Sequence, residues 1–506
     1  MRGSIHSILH VGSGGVIVDA ECHLSNGLPS IVIVGLGNKA VDEARERVRS
    51  AFASSGIAMP RKRIIINLAP ADIPKESTSL DLCIAMAILN ADSQLPALQN
   101  AACAFIGELG LEGDIRGVRG VIGKVLAGKQ HGIQTFFVPK ANLQQALLVP
   151  DVTIYAPQTL KELVEDLKDT EKCVAYESNS STTPIAAAQS KIWPFANIAG
   201  QSRAKRAIVI AAAGGHNIFL SGPPGTGKSM LACALPSLLP PLSREEMLEI
   251  THLHSLSGFD YEQLITERPF RAPHHSVSHI AMVGGGSRLR PGEISLSHHG
   301  VLFLDEIPEF NRQTIEALRQ PLEDGTITVT RAKDSVTYPA NFILVATANP
   351  CPCGYFGTAH SCTCPAYRVM QYQQKISGPI IDRIDLWAEV EDVKHEQLLN
   401  PESPNEQKQI LEQIDAARKQ QAERNPSPML NASMDNTAIR GKANINPKGI
   451  ALLNQAAGQL KLSARSYMRV IKVARTIADL EQSAQILASH VGEALQYRAQ
   501  TKRPLE

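Results

Sequence analysis

Residues 217–232 read "NIFLSGPPGTGKSMLA". A short apolar run, right for a strand, gives way to glycines and prolines, then to Lys228 and Ser229, then to an apolar helical stretch. The spacing G-x-x-x-x-G-K-S from Gly222 to Ser229 constrains the chain more than any other feature. Glycines let such a loop curl until backbone N–H groups point inward, and the helix starting there adds its positive end. A strand, phosphate-cradling loop and helix in that order predict a parallel α/β sheet. The cradle is Gly222, Pro223, Pro224, Gly225, Thr226, Gly227, Lys228, Ser229 and Met230. Lys228 is expected on the β- and γ-phosphate oxygens of a nucleoside triphosphate and the Ser229 hydroxyl on Mg²⁺.

Two later strands belong to the same sheet edge. "GVLFLDEIPE" is an apolar strand ending on Asp305 and Glu306. Carboxylates at the carboxyl end of a buried parallel strand lie beside the phosphate loop. Asp305 is then assigned to Mg²⁺ and Glu306 to the attacking water. "FILVATAN" ends on Asn349, a polar residue able to orient that water.

At 506 residues the chain exceeds a single hydrophobic core. Residues 1–168 mix short strands with helical stretches. "SIVIVGL" reads as a buried strand, "AVDEARERVRSAFASSG" as a helix ending at Gly56, "RIIINLAP" as a strand and "DLCIAMAILNA" as a helix. Residues 169–190 are rich in Ser, Thr and Ala and read as a linker. Residues 191–395 alternate strand and helix, and 396–506 are almost wholly helical. With 50 basic and 49 acidic residues and a net charge of +1, a polyanion must be met by local patches rather than a global field. The longest apolar run, "AIVIAAAGGHNIFL", is broken by His216 and Asn217, so no membrane span is expected. The scattered Cys22, Cys83, Cys103, Cys173 and Cys233 suit a reducing, cytoplasmic compartment.

Two further segments carry chemistry. A long insert before "LFLDE" holds Arg268, Arg271, Arg288 and Arg290 with histidine pairs such as His274–His275. "TITVTRAKDSVTYPANFIL" alternates Ile327 and Val329, turns at "RAKDS" and returns through Val336 and Tyr338, so it reads as a β-hairpin with Arg331 and Lys333 at its tip. These cations are either ordinary solvated arginines or a lining for a phosphate backbone. The histidine pairs read as packing and hydrogen-bonding groups rather than metal ligands, because no third ligand at helical spacing accompanies them. Directly behind Asn349, "NPCPCGYFGTAHSCTCP" crowds Cys351, Cys353, Cys362 and Cys364 into one loop. Four thiolates so spaced can surround one Zn²⁺, with His360 able to replace one of them. Packing or solvent-facing cysteines are the alternative.

The order P-loop, "LFLDE", "ATAN" resembles AAA+ ATPases, with Asn349 matching their sensor 1. "SGPIIDRIDL" resembles the arginine-finger segment of the chelatase and MCM branch, which points to Arg383. In "SARSYMRVIKVARTIADL", Arg469 matches the sensor 2 arginine, with Arg465 the second choice. A finger acts in a neighbour's site, so a closed ring of identical subunits is implied. "GPPGTGKSML", "PFRAPHH", "HHGVLFLDEIPEF", "NPCPCGY", "SGPIIDRIDL" and "RVIKVARTIADL" together look like the magnesium-chelatase-like YifB/ComM family.

That resemblance implies an ATP-driven hexameric helicase promoting branch migration during natural transformation. Single-stranded or branched DNA would be its substrate and recombination proteins its partners. It also implies an AAA+ core with a parallel sheet and a helical magnesium-chelatase-type lid. The first 168 residues resemble the Lon peptidase domain, an α+β fold. Ser79 falls near the nucleophile's position, but the lysine's position falls on Ile122, with Lys124 two places away. Two residues on a helix turn about 200°, so the fold is expected without the chemistry. A chelatase motor subunit and an ATP-dependent peptidase are the other readings. The chelatase reading is disfavoured because its motor subunits are expected to lack the Lon-like domain and because no tetrapyrrole-handling region is recognisable.

Overall fold

A computed structural model of the chain describes residues 4–11, 14–35, 38–71, 75, 78–95, 103–169, 174–177, 194–258, 264–286, 289–330, 335–358, 360–392, 404–425 and 429–498. It divides into two compact units, one of residues 1–186 with 243–266 and one of 187–242 with 267–506.

The first unit is built on an eight-stranded mixed sheet. Ile5–Val11 pairs antiparallel with Gly14–Ser25, which pairs antiparallel with Arg63–Ala69. Ser30–Val34 closes one edge in parallel with Arg63–Ala69. On the other side of Ile5–Val11 come Cys103–Phe105, Thr135–Phe137 and Thr153–Tyr155, all parallel. Strand side chains alternate between faces, and here both faces are apolar. Ile5, Leu9, Val18, Ala20 and Phe105 face the helix Asp81–Ala91. Ile8, Ile17, Ala104 and Phe136 face the helix Val121–Gln130.

Three expectations need correction here. "SIVIV" is a strand, but at the sheet edge only Ile33 is buried and Val32 and Val34 face outward. The expected linker begins too early, since Tyr176–Glu177 pairs antiparallel with Thr153–Tyr155 as an edge strand. Most of the rest of 169–190 lies outside the described residues. The helix Arg244–Ser257, expected within the ATPase core, groups with the first unit, because its Leu248 belongs to the core around Phe136.

The second unit has a five-stranded parallel sheet in the order Phe270–Arg271, Val301–Leu304, Ile343–Ala348, Ile218–Ser221, Leu386–Glu389. Its central strands are buried along their whole length, as the continuous apolar runs require. Helix Ser202–Gly214 covers this sheet and stops at Gly215, whose φ of 72° only glycine adopts without strain. The apolar run through Ile210 and Leu220 is therefore a helix, a turn and a strand. No helix among the described residues is long and apolar enough to cross a membrane. The predicted hairpin forms, with Ile327 opposite Tyr338 and Val329 opposite Val336.

The C-terminal helices include Pro404–Arg424, Pro447–Gln459, Ala464–Leu480 and Ala488–Gln496. The border expected near residue 395 is not a packing border. One core contains Ile218 and Val345 of the sheet together with Ile414, Val473 and Ile477 of the helices.

Candidate functional site

At the carboxyl edge of the parallel sheet, strand Ile218–Ser221 runs into the glycine loop, and helix Lys228–Ala234 leaves it. Gly225 and Gly227 have φ of 83° and 88°, the left-handed region where a Cβ is penalised. Gly222 is required for space, since a Cβ there would lie 2.1 Å from the Val390 carbonyl oxygen. The Thr226 hydroxyl donates to Pro223 O at 2.9 Å and closes the turn.

Lys228 Nζ donates to Gly222 O and Pro223 O, both at 2.7 Å, and to Asn349 Oδ1 at 3.1 Å. Burial lowers its pKa, while Asp305 and Glu306 act to raise it. The Ser229 hydroxyl donates to Asp305 Oδ2 at 3.2 Å. The Asn349 amide donates to Glu306 Oε1 at 3.2 Å. Loop, acidic strand and asparagine strand thus converge as their sequence positions predict. Glu306 has a left-handed backbone, φ 53°, a conformation that costs a non-glycine residue energy and recurs at functional sites.

Two contributors escaped the sequence reading. Thr347 donates its hydroxyl to Asp305 Oδ1 at 2.6 Å and accepts the Glu306 backbone N–H at 2.9 Å, so it registers the two acids. A hydroxyl inside the otherwise apolar "FILVATA" was its signal. Gln201 donates its amide to Thr226 O at 3.3 Å from the loop before helix Ser202–Gly214. Met230, assigned to the cradle, is partly exposed beside Ser229. A lysine ammonium, a hydroxyl, two carboxylates and a carboxamide around a curled loop are the donor set a nucleoside triphosphate with Mg²⁺ requires.

The arginines lie elsewhere. The parallel register puts Ser221 beside Glu389 at the loop end and Ile218 beside Leu386 at the opposite end. Those pairs are about 10 Å apart at roughly 3.3 Å per residue. Arg383 precedes that far end and is nearly buried, bonded to Pro379 O at 2.8 Å and paired with Glu323. Arg469 pairs with buried Asp385, which also accepts from His216 at 3.2 Å. The other His216 nitrogen meets Thr476 Oγ1 at 2.7 Å. Burial opposes ionisation of Asp385, but Arg469, His216 and Lys472 outweigh it and bring its pKa to about 2. Arg465, one turn earlier, is half exposed and reaches Glu323 at 2.9 Å. Neither Arg383 nor Arg469 is therefore brought to the glycine loop of its own chain.

The candidate DNA contacts separate as well. Arg268 spends its donors inside the fold, on Pro240 O at 2.7 Å and His299 O at 2.8 Å. Arg271 forms a bidentate pair with Glu293, both contacts 2.6 Å. Arg290 is exposed in a two-stranded ribbon opposite Gly285. Arg288, Arg331 and Lys333 lie outside the described residues. The ribbon adjoins the hairpin, since the Tyr338 hydroxyl donates to Leu289 O. The His274 and His275 rings pack tilted with centroids 4.0 Å apart, and His274 Nδ1 lies 2.8 Å from Ser276 Oγ. In the cysteine loop, the four Sγ atoms lie within 4.8 Å of one another. His360 instead packs edge-on against Tyr355.

In the first unit, Ser79 and Lys124 are both buried. Burial alone lowers the Lys124 amine to about 7. Ser79 leads into the helix on one face of the sheet, and Lys124 belongs to the helix on the other.

A parallel sheet carrying a phosphate loop, an acidic strand end and a polar third strand end, with a helical region behind, fits the magnesium-chelatase-like AAA+ class. The comparisons agree. Family models described as "Magnesium chelatase, subunit ChlI", "Subunit ChlI of Mg-chelatase" and "Magnesium chelatase, subunit ChlI C-terminal" match residues 194–398, 20–142 and 405–498. The chain is 42% identical over 501 residues to competence protein ComM of Haemophilus influenzae, covering 98% of this chain and 97% of that protein. It is 41% identical over 497 residues to YifB of Escherichia coli, covering 98% and 96%. The 38 kDa magnesium-chelatase subunit of Cereibacter sphaeroides is 27% identical over 178 residues, 32% of this chain and 53% of that protein. The chain belongs to the ComM/YifB family. The match over residues 20–142 carries a chelatase-subunit description, so the N-terminal region does not by itself count against the chelatase reading.

Proposed function

We propose that this chain is an ATPase that works as a closed homo-hexamer and drives branch migration on single-stranded or branched DNA during homologous recombination in natural transformation. The observation that carries the reading is the separation of Lys228, Asp305 and Glu306 from Arg383 and Arg469 across the length of the sheet strands. Arginines at the far edge serve a nucleotide only if a second subunit presents its glycine loop to them, and repetition of that head-to-tail contact closes a ring when the rotation between subunits divides a full turn. In such a contact Arg383 exchanges Glu323 for the transferring phosphoryl group, and half-exposed Arg465 or Arg469 supplies the second cation. Ser229 and Asp305 would hold Mg²⁺, which neutralises charge on the β- and γ-phosphate oxygens. Glu306, held by Asn349, takes the proton of the attacking water.

DNA as substrate is supported by full-length similarity to a protein named for competence, by the exposed Arg290 in a ribbon beside the hairpin, and by Arg331 and Lys333 in the hairpin's turn sequence. Arg288, Arg290, Arg331 and Lys333 are the proposed backbone contacts, with Arg268 and Arg271 shaping the insert that carries Arg288 and Arg290. Recombination proteins are the expected partners. A magnesium-chelatase-like motor is the second reading, favoured by the chelatase descriptions of all three matched segments. A peptidase reading draws no support from Ser79 and Lys124, whose helices lie on opposite faces of one sheet.

Unwinding of a synthetic three-strand junction with ATP, using Lys228→Ala as control, is the test. DNA-stimulated turnover and ATP-dependent strand release are expected from the wild type alone. Stimulation by porphyrin or casein instead, with no response to DNA, overturns the DNA reading.

A further inference from the structure

The cysteine loop is joined to the ATP site at both ends of its first turn. Cys351 follows Asn349 by two residues, and Asn349 bridges Lys228 and Glu306. Gly354 lies against the glycine loop, where an added Cβ would stand 2.6 Å from Pro224 Cδ and 3.1 Å from Pro224 Cγ. Its φ of 88° favours glycine a second time. On the outer side, Gln373 donates its amide to Pro350 O at 3.1 Å. A loop in contact with the outer proline of the phosphate cradle and continuous with the water-positioning asparagine can alter both.

Four cysteine sulfurs shape that loop. Cys351 Sγ lies 3.3 Å from Cys353 Sγ and 3.6 Å from Cys362 Sγ, and Cys353 Sγ lies 3.5 Å from Cys362 Sγ. Sulfurs around a tetrahedral zinc at about 2.3 Å stand roughly 3.8 Å from one another. None of the four is in a disulfide. The Phe356 backbone N–H donates to Cys351 Sγ at 3.3 Å. A backbone amide aimed at sulfur suits a thiolate ligand, whose remaining lone pairs need donors. An all-sulfur tetrahedral set selects zinc or iron among the common metals.

We propose that Cys351, Cys353, Cys362 and Cys364 bind one Zn²⁺, and that the stapled loop sets the position of Asn349 and braces Pro224, so nucleotide affinity and turnover depend on a metal that takes no part in the phosphoryl chemistry. The turnover half rests on the ATPase reading above; the affinity half rests only on the loop's binding a nucleotide. Asn349, Cys351 and Gly354 are positioning residues here, and Glu306 and Lys228 remain the groups that touch the phosphates and water.

The test uses the full-length chain. Elemental analysis of the purified wild type should find about one zinc per chain. Cobalt exchange should give the intense visible bands of a tetrahedral thiolate site, which an iron–sulfur cluster or a non-specific ion would not reproduce. Cys362→Ser/Cys364→Ser should lose the metal and bind a fluorescent ADP analogue about tenfold more weakly. Gly354→Ala keeps all four thiols, so it should keep zinc yet weaken the same affinity, which separates loop position from loop unfolding. A wild type with well under one zinc and no cobalt bands overturns the proposal. Zinc-free variants that retain wild-type ADP affinity overturn its coupling half. A zinc-loaded wild type that binds ADP but hydrolyses no ATP counts against the ATPase reading and leaves the affinity test standing.

Discussion

Two aspartates at opposite edges of the same parallel sheet show how one residue type serves two ends. Asp305, at the carboxyl edge, is exposed and held by hydroxyls from Ser229 and Thr347. Neutral donors orient a carboxylate without neutralising it, so its charge remains available to a cation. Asp385, at the amino edge, is buried and surrounded by Arg469, His216 and Lys472. Its charge is consumed inside the fold. Around it the polar groups continue inward, from His216 to Thr476 and Asn431, and from Asn431 to Asp479, which Arg424 and Arg475 also hold. The open edge is built for exchange of ligands. The closed edge fastens the helical region to the sheet.

The largest expected effect lies on the open edge. Glu306→Gln removes the proton acceptor and should lower ATP turnover by about 10²–10⁴-fold. Because Glu306 is exposed, its unfolding free energy should change by no more than about 0.5 kcal/mol. A Glu306→Gln chain that turns over normally, or one that unfolds, breaks the contrast. The opposite pattern is expected of Asp385→Ala. Loss of one partner from a buried ion pair strands the other charge and costs about 3–5 kcal/mol, read by chemical denaturation. An Asp385→Ala chain with unchanged stability would mean that the network does not fasten the two layers.

A smaller effect reads the far-edge arginines directly. Lys228→Ala and Arg383→Ala should each be nearly inactive in ATP turnover. Mixed in equal amounts and reassembled, they should recover about a quarter of wild-type turnover, the share of ring contacts where an intact loop meets an intact arginine. Absence of recovery, with rings formed, removes Arg383 from the neighbour's site.

The carboxyl edge was legible in the sequence because each part is a local pattern: a glycine spacing, an apolar strand ending in two acids, an apolar strand ending in Asn349. Thr347 was missed because one hydroxyl in an apolar strand is a signal without a partner, and its role appears only when two strands are set in register. The amino edge was not legible. Asp385, His216, Thr476, Asn431 and Asp479 are scattered over more than half the chain, and only the packing of the helices on the sheet gathers them. Arg383 and Arg469 were singled out by resemblance alone, and their partners Glu323 and Asp385 carried no signal. The first unit shows a similar limit. Periodicity identified "SIVIV" as a strand, yet its place at the edge depends on pairing with Arg63–Ala69, which alternation does not specify. The helix Arg244–Ser257 follows the P-loop helix in sequence but spends its apolar face on the first unit's core, a choice made by tertiary packing.

The smallest effect tests what holds Asp385 ionised. Its folded pKa of about 2 lies below the ordinary 3.8, so the unfolded chain takes up a proton more readily than the folded one as pH falls. The carboxylate's stabilising contribution is therefore complete above the unfolded value, near pH 4, and is lost as pH falls towards 2. A difference of nearly two pKa units corresponds to about 2 kcal/mol. Other carboxylates titrate in the same window, so the informative quantity is the difference between wild type and Asp385→Asn. The gap in unfolding free energy should be constant from pH 7 to about pH 5 and then shrink by about 2 kcal/mol by pH 2. A gap for Asp385 that does not move with pH would mean that its hydrogen bonds, not its charge, hold the closed edge together.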